Sequence, residues 1–408
     1  MTGAWINRDL GELATVTAGN SAPQDETLFA DGTVPFFRTS DVGRIRFGDI
    51  DTAIDYLNVR GTRGMRQFPK GTILFPKSGA STFLNHRVMM QVDGCVSSHL
   101  ATITADRKLV EPRFLLYFLS TVQAQDLVQD HAYPSLNLPL IAGIKIPTPP
   151  LTEQRRIVAI LDEAFEGIAT AKANAEQNLQ NARDLFDGSL AKLFAQPGQG
   201  WESKSVREWV AEGVLAKPQD GNHGEIHPTK ADFVDVGVPF VMAADLVAGD
   251  VDTVGCRFIT ESQAKSLRIG FAKSGDVLLS HKGTIGRVAI LETSDDYVVL
   301  TPQVTYYRPL KSERVTKEFL YFCLMSPGFQ SQMAEIADAG STRSYIGITK
   351  QLELNLTLPP IEEQLALASK LGEIQVASVR LAKIYEKKFA ALDELKKSLL
   401  HQAFTGQL

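Results

Sequence analysis

Two long stretches without proline constrain the fold of this chain more than any other feature of its sequence. One follows the hexapeptide Pro149–Gln154 and the other follows Pro359–Gln364, and each extends for about 44 residues. Both hexapeptides start with two prolines and end in Glu-Gln. Because a residue before proline is pushed out of the helical region, extended chain should enter each stretch and a helix should start after the prolines.

Apolar residues recur in both stretches at the spacings of three and four that predict an amphipathic helix with coiled-coil character. In the first stretch they are Ile157, Leu161, Ala164, Ile168, Ala171, Ala175, Leu179, Ala182, Phe186, Leu190 and Leu193. In the second they are Leu371, Ile374, Leu381, Tyr385, Leu392, Leu395 and Leu399. Each helix would be on the order of 65 Å long. Packing of each helix on its own domain alone is the weaker alternative, since a domain of this size has a radius of gyration of only ~15 Å. We therefore expect the two helices to pair with each other, antiparallel.

The rest of the chain repeats once, which predicts two globular units of similar plan. Trp5 is matched by Trp201, and Val34-Pro-Phe-Phe by Val238-Pro-Phe-Val. The segment Gly71–Gly79 is matched by Gly275–Gly283. Short β-rich runs bounded by Gly, Asp and Ser predict mixed α/β units, with a helix near the end of each, at 112–128 and 316–335. The predicted domains are 1–148 and 198–358, and the predicted long helices lie in 149–197 and 359–408.

Basic residues gather at equivalent places in the two units, although the whole chain has a net charge of −5. No acid occurs from Tyr56 to Val92, and Asp276 is the only acid from Ser262 to Leu291. One basic run usually marks a solvated face, but two at equivalent places favour a nucleic-acid surface. The candidate DNA-binding residues are Arg60, Arg63, Arg66, Lys77, Ser78, Gly79, His281, Lys282, Gly283, Arg343 and Tyr345.

Other interpretations of these candidates stay open at this point. The Lys77–Gly79 and His281–Gly283 segments are also compatible with ordinary β-turns, although both would let side chains project toward a partner. The matched segments Tyr133–Asn137 and Arg343–Gly347 could contact bases or only close each domain against its helix. His99 and Gln303 follow equivalent strands and could contact a base edge or be buried polar groups.

The sequence contains no motif of a catalytic or cofactor site. It has no Gly-Lys dipeptide and hence no P-loop, and no Gly-x-Gly-x-x-Gly, Gly-x-Ser-x-Gly or His-Glu-x-x-His. Three cysteines lie far apart without a Cys-x-x-Cys. His223 and His227 have helical spacing, but the glycines around them argue against a helix and a metal site. No apolar run approaches the ~20 residues of a membrane span, and the first residues lack the order of a signal peptide. We expect a cytoplasmic protein without catalytic residues, cofactor or metal.

These features together resemble the specificity subunit of type I restriction–modification systems. That family has two variable globular units, each followed by a long helix that opens with Pro-Pro-x-x-Glu-Gln. The closing segment Ser398–Leu408 is similar to the C-terminal signature of the family. The segment from Gly275 to Ala289 resembles a common stretch of its target recognition domains. The resemblance covers essentially the whole chain, although the first unit departs from it in Phe75-Pro76-Lys77.

The resemblance implies an α+β chain in which two target recognition domains are joined by two long antiparallel helices, a coiled-coil spacer within a pseudo-two-fold repeat. Each domain would read one half of a bipartite, asymmetric site in double-stranded DNA. The helices would set the spacing and bind two methyltransferase subunits, and restriction subunits would join through them. S-adenosylmethionine, ATP and Mg²⁺ would be bound by those partners and not by this chain. The alternatives are a stand-alone enzyme that modifies or cleaves DNA, and a purely structural coiled-coil adaptor.

Overall fold

In the computed structural model, which describes residues 5–128, 135–223, 227–338 and 345–408, the chain forms two compact units. Unit 1 comprises Met1–Ala175 and Lys387–Leu408, and unit 2 comprises Glu176–Glu386. Each unit thus contains one globular domain together with parts of both long helices. No helix of the described part of the chain is long and apolar enough to cross a membrane.

Unit 1 is built on two sheets. Its strands are β1 (Ile6–Asp9), β2 (Ala14–Ala18), β3 (Val34–Phe37), β4 (Phe47–Ile50), β5 (Asp55–Leu57), β6 (Gln67–Phe68), β7 (Ile73–Pro76), β8 (Arg87–Met90), β9 (Gly94–Val96), β10 (Leu100–Ala105) and β11 (Lys145–Thr148). Its helices are α1 (Leu10–Leu13), α2 (Thr39–Ile45), α3 (Pro112–Thr121), α4 (Leu138–Ala142) and the start of α5 (Leu151–Ala195). A five-stranded sheet has the order β2-β10-β7-β8-β4, and a four-stranded sheet has the order β5-β3-β9-β6.

Unit 2 repeats this plan with additions at the sheet edges. Its strands are β12 (Glu202–Ser205), β13 (Gln219–Asp220), β14 (Phe233–Val234), β15 (Val238–Val241), β16 (Leu246–Val247), β17 (Asp250–Val251), β18 (Arg257–Ile259), β19 (Phe271–Ala272), β20 (Val277–Ser280), β21 (Val288–Ile290), β22 (Val298–Leu300), β23 (Val304–Tyr307) and β24 (Asn355–Leu358). Its helices are α6 (Val206–Ala211), α7 (Glu261–Ser266), α8 (Lys317–Met325), α9 (Pro327–Asp338), α10 (Ile348–Gln351) and part of α11 (Ile361–Thr405). The sheet orders are β13-β23-β20-β21-β17-β16 and β14-β18-β15-β22-β19. Without β16 and β14 they match the orders of unit 1, strand for strand.

A short antiparallel pair fixes the entry to each long helix. In unit 1, β1 pairs with β11, placing Ile6 opposite Thr148. In unit 2, β12 pairs with β24, placing Glu202 opposite Leu358. Because Thr148 and Leu358 directly precede the double prolines, the first strand of each unit holds the last residue before the helix.

The helices near the domain ends differ from the sequence prediction. The predicted helix 112–128 stops as an α-helix at Thr121. The predicted single helix 316–335 is two helices, because the backbone of Ser326 is extended (ψ 143°) and Pro327 starts α9. Proline lacks the N–H that would continue the helix ladder and fits the first helical position instead.

Each unit buries its own section of the helix seam. In unit 1, Ile157 and Leu161 of α5 share a core with Leu400 and Ala403 of α11. Arg156 of α5 donates to the carbonyl of Leu408 at 2.6 Å. Further along α5, Lys172 forms an ion pair with Asp393 of α11. Residue numbers rise along α5 as they fall along α11, so the helices are antiparallel in this unit, as predicted.

Polar side chains occupy part of the seam of α11, which the sequence analysis missed. In unit 2, Ser378 donates to the carbonyl of Ala182 and is buried. In unit 1, Lys396 Nζ lies 4.4 Å from the ring centroid of Phe47 and 4.9 Å from that of Phe165. Burial lowers the pKa of Lys396. Two residues predicted to line the seam, Leu381 and Leu395, are instead 37% and 46% exposed. That part of the seam prediction is wrong.

Candidate nucleic-acid interface

The repeated loop has the same backbone geometry in both units. In unit 1, β7 leads into Lys77-Ser78-Gly79, and in unit 2, β20 leads into His281-Lys282-Gly283. Gly79 has φ 74° and Gly283 has φ 78°, a region that glycine adopts without steric cost. A Cβ added to either glycine would meet no heavy atom within 4 Å among the described residues. Both turns therefore present open backbone that a ligand could approach closely.

In unit 1 this loop joins two other predicted surfaces. The backbone N–H of Lys77 donates to the carbonyl of His99 at 3.0 Å. The N–H of Leu136 donates to the carbonyl of Lys77 at 2.8 Å, and Ser78 forms a bridge with Ser135. The loop, the turn after β9 and the segment before α4 thus meet at one place. Tyr133, the predicted aromatic residue of that segment, lies outside the described residues.

Unit 2 repeats the arrangement bond for bond. The N–H of His281 donates to the carbonyl of Gln303 at 2.9 Å, and the N–H of Ile346 donates to the carbonyl of His281 at 3.0 Å. Lys282 forms a bridge with Tyr345, and its Nζ lies 5.6 Å from the centroid of the Tyr345 ring. The Tyr345 side chain is 43% exposed. A half-buried cation and an exposed aromatic ring are therefore placed together beside the open turn. Arg343, the other predicted residue of this segment, lies outside the described residues.

Three histidine and glutamine candidates have different environments. His99 and Gln303 are both exposed, so the alternative that they are buried polar groups is wrong, and their contact with a base edge stays a prediction. His281 is fully buried, and its Nδ1 bonds the carbonyl of Ile346 at 2.9 Å. Burial also lowers the pKa of His281, which favours the neutral ring. The expectation that His281 projects from its turn is therefore wrong, because its side chain supports the loop from inside.

The three arginines predicted in unit 1 are all exposed, but they belong to two places. Arg60 and Arg63 lie in the turn after β5, where the N–H of Arg60 donates to Asn58 Oδ1 at 3.0 Å. Arg66 is anchored elsewhere, since its N–H donates to Asn20 Oδ1 at 2.9 Å. The carbonyl of Asn20 accepts from Ser98, beside His99, so Arg66 belongs to the face that carries the repeated loop.

Unit 2 has an equivalent arginine that the candidate set omitted. The N–H of Arg268 donates to Asn222 Oδ1 at 3.0 Å, the same anchor that Asn20 gives Arg66. Arg268 is exposed. The signal was present in the sequence as the matched pairs Gly19-Asn20 and Gly221-Asn222.

One member of the basic stretch of unit 1 does not reach the surface. Arg87 is fully buried, with its guanidinium 3.4 Å from the ring centroid of Phe75 and Nη1 bonded to the carbonyl of His86 at 2.8 Å. Burial lowers the pKa of Arg87 to about 9. Its charge therefore belongs to the core of unit 1 and not to a DNA-facing surface.

Possible metal ligands are not arranged for a metal. His223 Nε2 bonds Asp220 Oδ2 at 2.8 Å, and Asp220 also lies 3.8 Å from Nε2 of His281. Throughout the ranges that the structure describes, no three His, Cys, Asp or Glu side chains form a group that could hold a metal ion.

The repeated Glu-Gln orients the domain of unit 1 on its long helix. Gln154 is fully buried, and its Nε2 donates to the carbonyls of Pro149 at 2.8 Å and Leu109 at 3.3 Å. Its Oε1 accepts from the N–H of Glu111, the N-cap of α3, at 2.8 Å. The side-chain amide of Gln154 thus connects the start of α5 to α3 and to the loop that precedes α3.

Gln364 makes the same set of bonds in unit 2. Its Nε2 donates to the carbonyls of Pro359 at 2.8 Å and Arg314 at 2.9 Å. Its Oε1 accepts from the N–H of Thr316, the N-cap of α8, at 3.1 Å. We call Gln154 and Gln364, with these three bonds each, the glutamine clamps. Two clamps of the same geometry indicate that each domain is attached to its helix in the same way.

The comparison with protein families agrees with this duplicated plan. The family described as "Type I restriction modification DNA specificity domain" matches residues 3–180 and 228–380. This chain belongs to that family. Its two matched segments correspond to the two units that carry the repeated loop.

Individual specificity subunits are similar along most of the chain. The specificity subunit of the type I restriction enzyme MjaVIII from Methanocaldococcus jannaschii is 25% identical over 77% of this chain and 74% of its own length. The EcoBI specificity subunit from Escherichia coli is 21% identical over 99% of this chain and 86% of its own length.

Solved structures have the same fold. The HsdS subunit from Thermoanaerobacter tengcongensis has a TM-score of 0.61 at 20% identity and covers 100% of this chain and 98% of its own. A chain from a structure on the assembly and conformational transition of the type I R-M system has a TM-score of 0.77 at 19% identity and covers 100% of this chain and 99% of its own. The predicted fold class, with mixed α/β domains, long helices and an internal repeat, is confirmed.

Proposed function

We propose that each domain of this specificity subunit reads one half of a bipartite, asymmetric site in double-stranded DNA. The observation that carries the proposal is the duplicated open face, formed by the turns at Gly79 and Gly283 with the exposed side chains of His99 and Gln303 beside them. Histidine and glutamine side chains can bond base edges, while Lys282 and Arg268 supply positive charge for phosphates. The candidate DNA-binding residues Arg60, Arg63, Arg66, Lys77, Ser78, Gly79, Lys282, Gly283, Arg343 and Tyr345 remain part of this proposal. The side chain of His281 contributes only by supporting the backbone of its loop.

For the domains and the spacer we propose the boundaries that the sequence predicts. The recognition domains are residues 1–148 and 198–358, and the helical segments 149–197 and 359–408 form the spacer. The observed helices, Leu151–Ala195 and Ile361–Thr405, fall inside those segments. A helix of this length is on the order of 65 Å long, and half-sites one helical turn of DNA apart are separated by about 34 Å.

A shallow apolar groove on α11 supports docking of methyltransferase subunits on the spacer. Its volume is about 800 Å³, and Val376, Leu381 and Ile384 line it together with the charged Glu373 and Arg380. Val376 is 70% exposed and Ile384 is 50% exposed. Exposed apolar patches with a charged rim are typical of protein interaction sites. In the proposal, two methyltransferase subunits bind the helices, and restriction subunits join through them.

The chemistry of modification and cleavage belongs to the partners in this proposal. S-adenosylmethionine, ATP and Mg²⁺ would be bound there, and this chain would bind none of them. The alternative is a stand-alone enzyme that modifies or cleaves DNA, and no arrangement among the described residues favours it.

The proposal is tested by mapping methylated adenines in host DNA and by footprinting the purified complex on the mapped site. We expect two protected blocks separated by an unread gap, and no methylation or cleavage by this chain alone. Turnover by the isolated chain with DNA, S-adenosylmethionine and Mg²⁺ would contradict the proposal.

A matched deletion of one heptad from each helix tests the spacer separately. Seven residues correspond to about 10 Å of helix, or about three base pairs of DNA. The gap in the methylated site should shorten accordingly while both half-sites stay the same. An unchanged gap would show that the helices do not set it.

A further inference from the structure

A cavity of about 420 Å³ in unit 2 lies at the end of β22, beside the repeated loop. It is lined among others by His227, Phe233, Phe240, Met242, Thr301 and Gln303. Its volume falls in the range of about 300–1,000 Å³ that small-molecule sites occupy in proteins. Lys282 of the loop also borders it, so the cavity adjoins the candidate DNA-binding face.

Two polar atoms of the lining residues make no hydrogen bond of normal geometry to any residue that the structure describes. Thr301 is 5% exposed, and its Oγ1 makes no hydrogen bond within the described part of the chain. The same holds for Nδ1 of His227. Buried polar groups in native proteins are nearly always hydrogen-bonded, so two such atoms on one cavity indicate that a polar ligand completes it. A hydroxyl and a ring nitrogen can each donate or accept, which suits the mixed edge of a nucleobase.

Flat rings form another part of the wall. The ring centroids of Phe233 and Phe240 are 6.0 Å apart, and those of His227 and Phe240 are 5.7 Å apart. Aromatic side chains stack on bases of any sequence because every base has a π-face. The exposed amide of Gln303 can bond the edge of a base as well.

Unit 1 places a cation on the equivalent rings. The guanidinium carbon of Arg38 lies 5.6 Å from the ring centroid of Phe29 and 5.3 Å from that of Phe36. Arg38 corresponds to Met242, because they directly follow the matched strands β3 and β15 and both donate from the backbone to an aspartate three residues later. The cavity of unit 2 is thus lined by an uncharged, flexible methionine at the position where unit 1 has an arginine.

We infer that this cavity binds one unstacked nucleobase, with its face on the ring of Phe233, which rests on the buried ring of Phe240, and its polar edge toward Thr301 and His227. The inference rests on the proposed function, since a base extruded from bound DNA would enter from the face that carries Lys282. A soluble nucleotide offers the same chemistry, and the experiment separates the two sources. Extrusion of a base would make recognition by unit 2 depend on how easily its half-site unstacks.

The test uses the full chain assembled with its methyltransferase subunits on its mapped DNA site. 2-Aminopurine, which brightens when unstacked, is placed at one position at a time in both strands of the half-site that unit 2 reads. We expect one bright position in addition to the methylated adenine. In a parallel arm, adenosine and thymidine monophosphates are titrated into the full chain by calorimetry.

Two variants connect the signal to the cavity. Thr301→Val keeps the side-chain volume but removes the unpartnered hydroxyl, and should weaken occupancy about threefold to tenfold, as expected for one lost hydrogen bond. Met242→Arg introduces the arginine that unit 1 carries and should abolish the additional bright position. Val236→Arg is the matched control, since it adds the same charge at a residue of unit 2 that is 88% exposed and does not line the cavity.

The outcomes are distinct. A bright position that disappears in Met242→Arg but not in Val236→Arg supports a DNA base, whereas nucleotide binding with the same variant pattern supports the soluble source. No additional bright position together with no nucleotide binding overturns the inference, and so does equal loss in Val236→Arg. If the inference about the cavity is overturned but the complex still protects both half-sites, the proposed function is unaffected. Absence of any footprint contradicts the proposed function itself.

Discussion

Gln364 donates from Nε2 to the carbonyl oxygen of Pro359 at 2.8 Å, the distance that Gln154 and Pro149 keep in unit 1. The bond closes over the first turn of the long helix. Since the same amide also bonds the loop and the N-cap before it, one side chain bonds three backbone groups at each helix entry, and the bond to the proline carbonyl is buried. The orientation of each domain relative to its helix entry thus depends on one uncharged amide.

Replacing Gln364 with Leu should destabilise unit 2. The substitution removes the glutamine partner of two carbonyls and one N–H. The bond to the Pro359 carbonyl is buried, where an unsatisfied group costs about 1–3 kcal/mol, while the other two bonds are partly exposed. We expect the free energy of unfolding to fall by about 1–3 kcal/mol, measured by urea denaturation. Gln180→Leu is the control, because Gln180 is exposed on α5 and its Nε2 donates to Asp184 Oδ1 one turn away on the same helix. Equal stability of the two variants would contradict the role of the clamp.

Replacing Lys282 with Ala should weaken DNA binding at one half-site only. Lys282 borders the open turn of unit 2 and has no carboxylate partner among the described residues. Loss of one phosphate contact should reduce the slope of log K against log salt by about 1. Binding by the assembled complex is measured over a salt series, with footprinting to resolve the half-sites. Lys265→Ala serves as control because Lys265 already pairs with Glu261. Equal weakening at both half-sites would argue against separate recognition by the two domains.

Charged substitutions in the groove on α11 should prevent assembly without unfolding the chain. Val376→Asp and Ile384→Asp place a carboxylate on an exposed apolar surface, where desolvation on docking is costly. The chain should keep its thermal midpoint but lose its methyltransferase subunits in size-exclusion chromatography. Val254→Asp is the control, since Val254 is 86% exposed and lies off the helix. Normal assembly of both groove variants would place the docking surface elsewhere.

Acid should destabilise unit 2 through His281. Burial lowers the pKa of this histidine below its ordinary value of 6.5, and Asp220 opposes the effect only in part. The unfolded chain therefore binds a proton near pH 6.5 while the folded chain does not, so stability falls as pH drops through and below that value. The pKa of His227 in unit 2 is lowered as well and adds to the same loss, whereas the lowered pKa of His86 makes unit 1 sensitive to acid in the same direction.

Urea denaturation at about pH 7.5 and 5.5 measures this dependence. His281→Gln, which keeps a donor for the carbonyl of Ile346, should reduce the difference between the two pH values. His401→Gln is the control, because His401 is exposed on α11. A pH dependence unaffected by His281→Gln would assign the acid sensitivity to other groups.

The long helices were predictable because proline and apolar spacing act locally. The double prolines mark the helix entries, and the structure starts α5 at Leu151 and α11 at Ile361. The sheets were not predictable in detail, since strands such as β16 and β17 have two residues each and carry no alternation. Their order is fixed by long-range pairing, as between Asp250 and Ile290.

Part of the candidate site was likewise predictable from the sequence and part was not. The glycine turns and the basic stretches were visible in the sequence because a repeat displays them twice. The burial of His281 and Arg87 was not visible, since both positions look like surface residues until the strands around them are assembled. The glutamine clamps were predictable only in part. The repeated Glu-Gln was visible in the sequence, but the bonds of its glutamines to residues about 45 positions earlier in the chain were not.

The polar side chains in the seam of α11 restrict the registers in which the two long helices can pair. Lys396 lies between the rings of Phe47 and Phe165, so inserting one residue would turn its charge by about 100° away from them. An insertion of seven residues nearly restores the direction of every side chain. If the helices measure the gap between half-sites, seven-residue steps are therefore the changes of target length that best preserve the seam. A matched step in both helices would keep the two helices paired in the same register while it moves the two domains apart.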